Sequence, residues 1–156
     1  MKLIHASIPA DDPHKVAEVL AEMMGGEALP FPPAGPSGRM AWSGDGSISL
    51  EIVPRGSLIH RGEEEVAWMP VDDPQRLSEV HLAIGVDRPA AEIMAIAERA
   101  GWPARLCSRG EGFFDLVEVW VEGVFMLEMF DPEQAAHYSR VATVENLKKY
   151  LAAVAA

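Results

Sequence analysis

The chain has 156 residues, enough for one compact domain or for two half-size modules sharing a core. Apolar residues make up 49% and charged residues 24%, and the net charge of −11 disfavours nucleic acid or an anionic membrane surface as a partner. A single cysteine, Cys107, excludes intramolecular disulfides and Cys-based zinc sites, and it reads as a half-buried strand residue. No apolar run approaches the roughly 20 residues of a membrane helix, and the opening MKLIHASIPADD lacks the apolar stretch of a secretory signal, so a cytoplasmic location is expected.

In chain order, alternation predicts a strand over 3–8. A helix follows, capped by Asp11 or Asp12 with Pro13 in its first turn. Val16, Val19, Leu20 and Met23 form its apolar stripe, and Gly25-Gly26 ends it. Segment 28–38 is too rich in Pro and Gly for a central strand. A strand near 39–43 turns at Asp45-Gly46 into a strand over 47–53. Residues 54–78, with the Glu63-Glu64-Glu65 run, read as a long solvated linker. A strand over 79–86 and a helix over 89–100 come next, the helix with Ile93, Ile96, Ala97 and Ala100 inward and Gly101 as its stop. Strands near 104–109, 114–121 and 124–130 follow, the last two joined at Glu122-Gly123, and residues 143–155 read as an outer helix.

This order contains a repeat. Ile4-His5, Asp11 and Pro13 match Val80-His81, Asp87 and Pro89 at one constant offset. Leu20 and Gly25 match Ile96 and Gly101 at the same offset, and one inserted residue later Leu50-Glu51 matches Leu127-Glu128. Two copies of one supersecondary unit explain a register shared by His, Asp, Pro, Gly and Glu. The expected fold is α+β: two tandem βαβββ modules forming a half-open, barrel-like sheet with helices outside. The first module spans 1–53, the linker 54–78, the second module 79–131 and a helical tail 132–156.

Side chains alternate across a strand. Four times, an aliphatic face opposes a single ionisable side chain: His5 against Ile4, Ala6 and Ile8; Glu51 against Ile48, Leu50 and Ile52; His81 against Val80, Leu82 and Ile84; Glu128 against Phe125, Leu127 and Met129. If the two sheets pair through their helix-free faces, His5, Glu51, His81 and Glu128 converge. Two imidazoles and two carboxylates suit one divalent Zn, Ni, Mn, Co or Fe ion and leave room for water or substrate. Glu118 is expected on the same concave face in a rim or structural role. Arg105 and Arg109 read as solvated strand-end residues, with an anionic substrate as the alternative. His14, His60 and His137 read as surface residues.

The pattern resembles the vicinal oxygen chelate superfamily, the glyoxalase/bleomycin-resistance/dioxygenase group, over about residues 3–131. The resemblance implies two βαβββ modules around a metal, with ligands from the first and last strand of each, here His5 and Glu51, then His81 and Glu128. A His/Glu/His/Glu set looks most like glyoxalase I (lactoylglutathione lyase). It implies a metal-dependent lyase or isomerase, with Glu51 and Glu128 as candidate bases, a small-molecule substrate such as a glutathione hemithioacetal, and a homodimer. An arginine that bacterial glyoxalase I usually carries shortly after its first ligand is replaced here by Ile8-Pro9-Ala10, so fold and metal site transfer better than substrate. An iron-dependent dioxygenase and a non-catalytic binding protein of the bleomycin-resistance type are the alternatives.

Overall fold

A computed structural model of the chain describes residues 3–63, 66–110 and 112–154. The first unit consists of β1 (His5–Ala10), α1 (Pro13–Met23), β2 (Ala28–Pro30), β3 (Arg39–Trp42) and β4 (Ser49–Pro54), in the sheet order β1-β4-β3-β2. After it come a hairpin of β5 (Ser57–Arg61) and β6 (Val66–Pro70) and then a second unit of β7 (Leu82–Gly85), α2 (Ala90–Ala100), β8 (Ala104–Arg109), β9 (Phe114–Val121) and β10 (Phe125–Phe130). The second sheet has the order β7-β10-β9-β8. Both sheets thus share one topology: the first strand lies parallel to the last, and the other neighbours are antiparallel. Neither sheet closes into a barrel. This is the expected α+β fold.

Local sequence explains the helices. Asp12 caps α1 by accepting from the Lys15 N–H, Pro13 occupies the first turn, and Gly25 follows at φ 68°. Gly26 has a different reason to be glycine, because a Cβ there would meet the Trp42 carbonyl oxygen at 2.0 Å. Helix α2 ends on Gly101 in the left-handed conformation. Helix α1 buries Val16, Ala17, Leu20 and Met23 in the same core as Ile8, Leu50 and Ile52. Helix α2 buries Ile93, Ile96 and Ala97 with Val117, Val119, Leu127 and Met129. The aliphatic face of each sheet therefore lies under its helix, as the alternation requires.

Several expectations are corrected. The first strand begins at His5 rather than at residue 3, and the strand expected over 79–86 begins only at Leu82. Ile4 and Val80, expected in the aliphatic faces, precede the ladders and are exposed. Segment 28–38 supplies no central strand, as expected: its short β2 lies at the sheet edge, where Pro30 is tolerated. The linker carries the β5–β6 hairpin; Glu63 lies at its turn, and Glu64 and Glu65 fall outside the described residues. The tail holds two helices, α3 (Pro132–Val141) and α4 (Val144–Val154), of which only the second was expected. Helix α3 opens on a reciprocal capping box between Asp131 and Gln134. Its Tyr138 ring meets Phe114 and Phe130, so it covers one end of the second sheet. Among the described residues no helix is long and apolar enough to cross a membrane.

The two units are tied by charge. Glu122, in the β9–β10 turn at φ 51°, accepts from the backbone N–H groups of Asp11 and Asp12 at 2.7 Å each. The buried Arg55 reaches both Asp11 and Glu122, and Arg76 adds a second guanidinium on Asp11. These arginines hold the Asp11 carboxyl below the usual carboxylate range, Arg76 acting most strongly and against a smaller upward push from burial. On the other side, Arg99 pairs with Glu22, and Arg88 donates to the Glu22 carbonyl.

Candidate metal centre

In the first unit, β1 and β4 run side by side with Ser7 opposite Glu51. The Ser7 hydroxyl donates to Glu51 Oε2 at 2.6 Å, and the other oxygen, Oε1, lies 3.6 Å from His5 Nε2. In the second unit Glu128 Oε2 lies 3.8 Å from His81 Nε2. The exposures match as well: the imidazoles are 53% and 49% exposed, and both glutamate side chains 14%. Each carboxylate turns one oxygen toward a half-open imidazole and has the other held by the protein.

The four expected ligands thus come together as two pairs. They do not form one cluster within a single chain: among the described residues, no group of three or more His, Cys, Asp or Glu side chains could hold a metal ion. The donor chemistry of each pair suits a divalent cation, but a zinc-type site takes three or four protein donors. Each pair supplies two donors of the required type. Neither pair lines the cleft of about 380 Å³ between the units, whose walls include Ser43, Asp45, Asp87 and Arg88.

The surroundings of the second pair are more elaborate than the sequence reading expected. Glu118 stands opposite Glu128 in the β9–β10 ladder and opposite Arg105 in the β8–β9 ladder. Its side chain is 3% exposed, so it is not a rim residue. Arg109 Nη2 donates to Glu118 Oε2 at 2.7 Å. Arg105 Nη2 and Trp120 Nε1 reach Oε1 at 2.7 and 2.8 Å. Burial pushes the Glu118 carboxyl upward, but the hydrogen bonds from Arg109, Trp120 and Arg105, with the charge of Arg105, overcome it and hold the group down at about 2. Arg105 and Arg109 are therefore ion-paired rather than simply solvated, and the Glu118 hydrogen bond raises both guanidinium pKa values. Arg109 also donates from Nε and Nη2 to Glu128 Oε1, at 3.3 Å in each case.

Cys107 is half-buried on β8, its Sγ 3.7 Å from Glu118. His14 pairs with Glu18 on the exposed face of α1, and His60 is exposed on β5. His137 is half-buried on α3, less open than expected. The contacts that Ser7 and Arg109 make with the two glutamates were not anticipated. Ser7 shares a face with His5 by simple alternation, whereas the reach of Arg109 depends on the β8–β9 register.

No protein-family model matches the chain, and no curated protein does. Solved structures do share its fold. FosX, a fosfomycin resistance protein of Listeria monocytogenes, seen as a mutant with Mn(II) and 1S,2S-dihydroxypropylphosphonic acid, superposes with a TM-score of 0.56 at 14% identity, over 88% of this chain and 95% of that one. Lactoylglutathione lyase of Agrobacterium tumefaciens gives 0.54 at 13%, over 84% and 93%. An integron cassette protein of V. cholerae gives 0.51 at 13%, over 83% and 93%. The chain has the fold of the vicinal oxygen chelate superfamily.

Proposed function

We propose that the chain is a glyoxalase I-like, metal-dependent lyase or isomerase, with its cation held by His5 and Glu51 of one copy and His81 and Glu128 of a second. The observation that carries this reading is the pairing of an imidazole with a carboxylate at equivalent positions of both units. A homodimer follows from incompleteness, because each chain offers two half-sites on open faces. The exposed Ile4 beside His5 and Val80 beside His81 support it, since exposed apolar side chains next to polar donors gain from being covered.

A bound divalent cation supplies Lewis acidity toward a substrate carbonyl. The chain supplies the rest. Ser7 holds the outer oxygen of the Glu51 carboxylate, which fixes the orientation of the inner one. Glu128, with Glu51 as the alternative base, takes the proton from the carbon beside the carbonyl and returns it to the neighbouring carbon. The retained Glu51 favours a four-ligand enzyme of this type over three-ligand relatives. A small substrate such as a glutathione hemithioacetal fits the reaction class.

The test is elemental analysis and sizing of the purified protein, followed by metal-by-substrate screening under air and under nitrogen. The reading expects a dimer, about one cation per half-site pair, activity lost on chelation and regained on reloading, and turnover that needs no O₂. Turnover that stops under nitrogen would replace it with an iron dioxygenase. Full activity in both Glu51→Gln and Glu128→Gln would end it.

A further inference from the structure

The second half-site contains a cation that belongs to the protein. Arg109 stands between two carboxylates on the face of the second sheet opposite α2, and its contacts with them are unequal. Its Nη2 is 2.7 Å from Glu118 Oε2, a normal charge-assisted hydrogen bond. From Glu128 both of its donating nitrogens are 3.3 Å away and reach the same oxygen, so the two-pronged fork that guanidinium and carboxylate prefer is not formed there. Glu118 can hold its guanidinium because it is itself fixed: Arg105 and Trp120 grip its other oxygen, and burial leaves it no alternative partner in water.

We propose that Glu118 is a positioning residue that keeps Glu128 available as a metal ligand by holding Arg109 away from it. This rests on the metal-site reading above and adds a residue to it. Without the Glu118 charge, Arg109 has one carboxylate left within reach. Closing on Glu128 as a fork, it would occupy the oxygen that faces His81 and place a positive charge where a dication must sit. Arg109 is thus a competitor restrained by Glu118, and the Glu118 and Glu128 carboxylates share one guanidinium so that the second keeps a free oxygen.

Cobalt(II) titration of the full-length protein tests this, with d–d absorption reporting the ligand set and thermal melting reporting the fold. Glu118→Gln is close to isosteric and is expected to weaken cobalt binding about tenfold or more. Adding Arg109→Met to it removes the competitor and should return affinity to within about threefold of the wild type. Arg109→Met alone should bind cobalt at least as tightly as the wild type. That variant keeps the proposal testable even if Glu118→Gln fails to fold, because a simple supporting role for Arg109 predicts weaker binding. Unchanged binding in Glu118→Gln, a double variant as weak as the single one, or weakened binding in Arg109→Met overturns the inference alone. A wild-type protein that takes up no cobalt, or a His81→Ala variant that binds it as the wild type does, overturns the inference together with the metal-site reading.

Discussion

The two units have one topology and one placement of His and Glu, yet they hold the glutamate by different means. In the first, Glu51 leans on the neutral Ser7 hydroxyl, and its cross-strand neighbour on β3 is Met40. In the second, Glu128 leans on the Arg109 guanidinium, and its cross-strand neighbour is the buried Glu118. Among the described residues, Glu51 therefore has no cationic side chain beside it other than the His5 imidazole. In the second, Glu118 and Glu128 are balanced by Arg105 and Arg109. The two units thus place the same His–Glu pair in different electrostatic surroundings.

The comparison can be broken most directly at the donors. Glu51→Gln and Glu128→Gln are each expected to lower turnover by about 10³-fold. Metal titration should show the larger affinity loss for Glu51→Gln, whose charge no guanidinium offsets. Equal affinity losses would mean that the charge difference is irrelevant to the cation. Next are the matched core positions beside the donors. Leu50→Ala and Leu127→Ala both open fully buried sites and should each cost about 2–5 kcal/mol in urea unfolding. A much smaller cost in one unit would show that the two cores are not packed alike. Ser7→Ala removes only a hydroxyl and should weaken metal binding by about tenfold without changing the melting temperature of the metal-free protein.

The smallest effect concerns the hairpin turns that precede the last strands. In the first unit Asp45 accepts from the Ser43 hydroxyl and the Ser47 N–H, and these bonds, the hydroxyl first, hold its carboxyl down at about 2. A carboxyl lowered on folding stabilises the native state above its ordinary value of 3.8, and that stabilisation is lost as the pH falls through 2. Asp45→Asn should therefore be slightly less stable than the wild type at neutral pH, the difference shrinking as the pH falls from about 4 toward 2 and vanishing only below that, as read by denaturant titration across that range. In the equivalent turn of the second unit, Glu122 instead reaches outside its own hairpin, to the N–H groups of Asp11 and Asp12.

Much of the fold was legible because two signals agreed: period-two alternation in the strands and the repeat of His, Asp, Pro, Gly and Glu. The β5–β6 hairpin escaped because both its strands are largely exposed, leaving no buried face to impose alternation. Helix α3 escaped because it buries no residue fully, although Asp131 and Gln134 carried its cap signal in plain sight. At the candidate site, the placement of each His beside a Glu could be read from strand parity and the repeat alone. The Glu118–Arg109 link could not, since a guanidinium four residues beyond the cross-strand partner Arg105 is brought near only by the actual course of the sheet. Nor could parity say whether the two donor pairs meet within one chain.

The joint at Glu122 bears on how the polypeptide comes off the ribosome. The two N–H groups leading into α1 find their acceptor in a turn more than a hundred positions downstream. Early in synthesis that entrance is left to water, and Arg55 waits without one of its carboxylates. A nascent fragment ending before the second half emerges would be a partial fold with a raw edge. Cutting the gene between the repeats should accordingly yield two pieces that behave better mixed than apart.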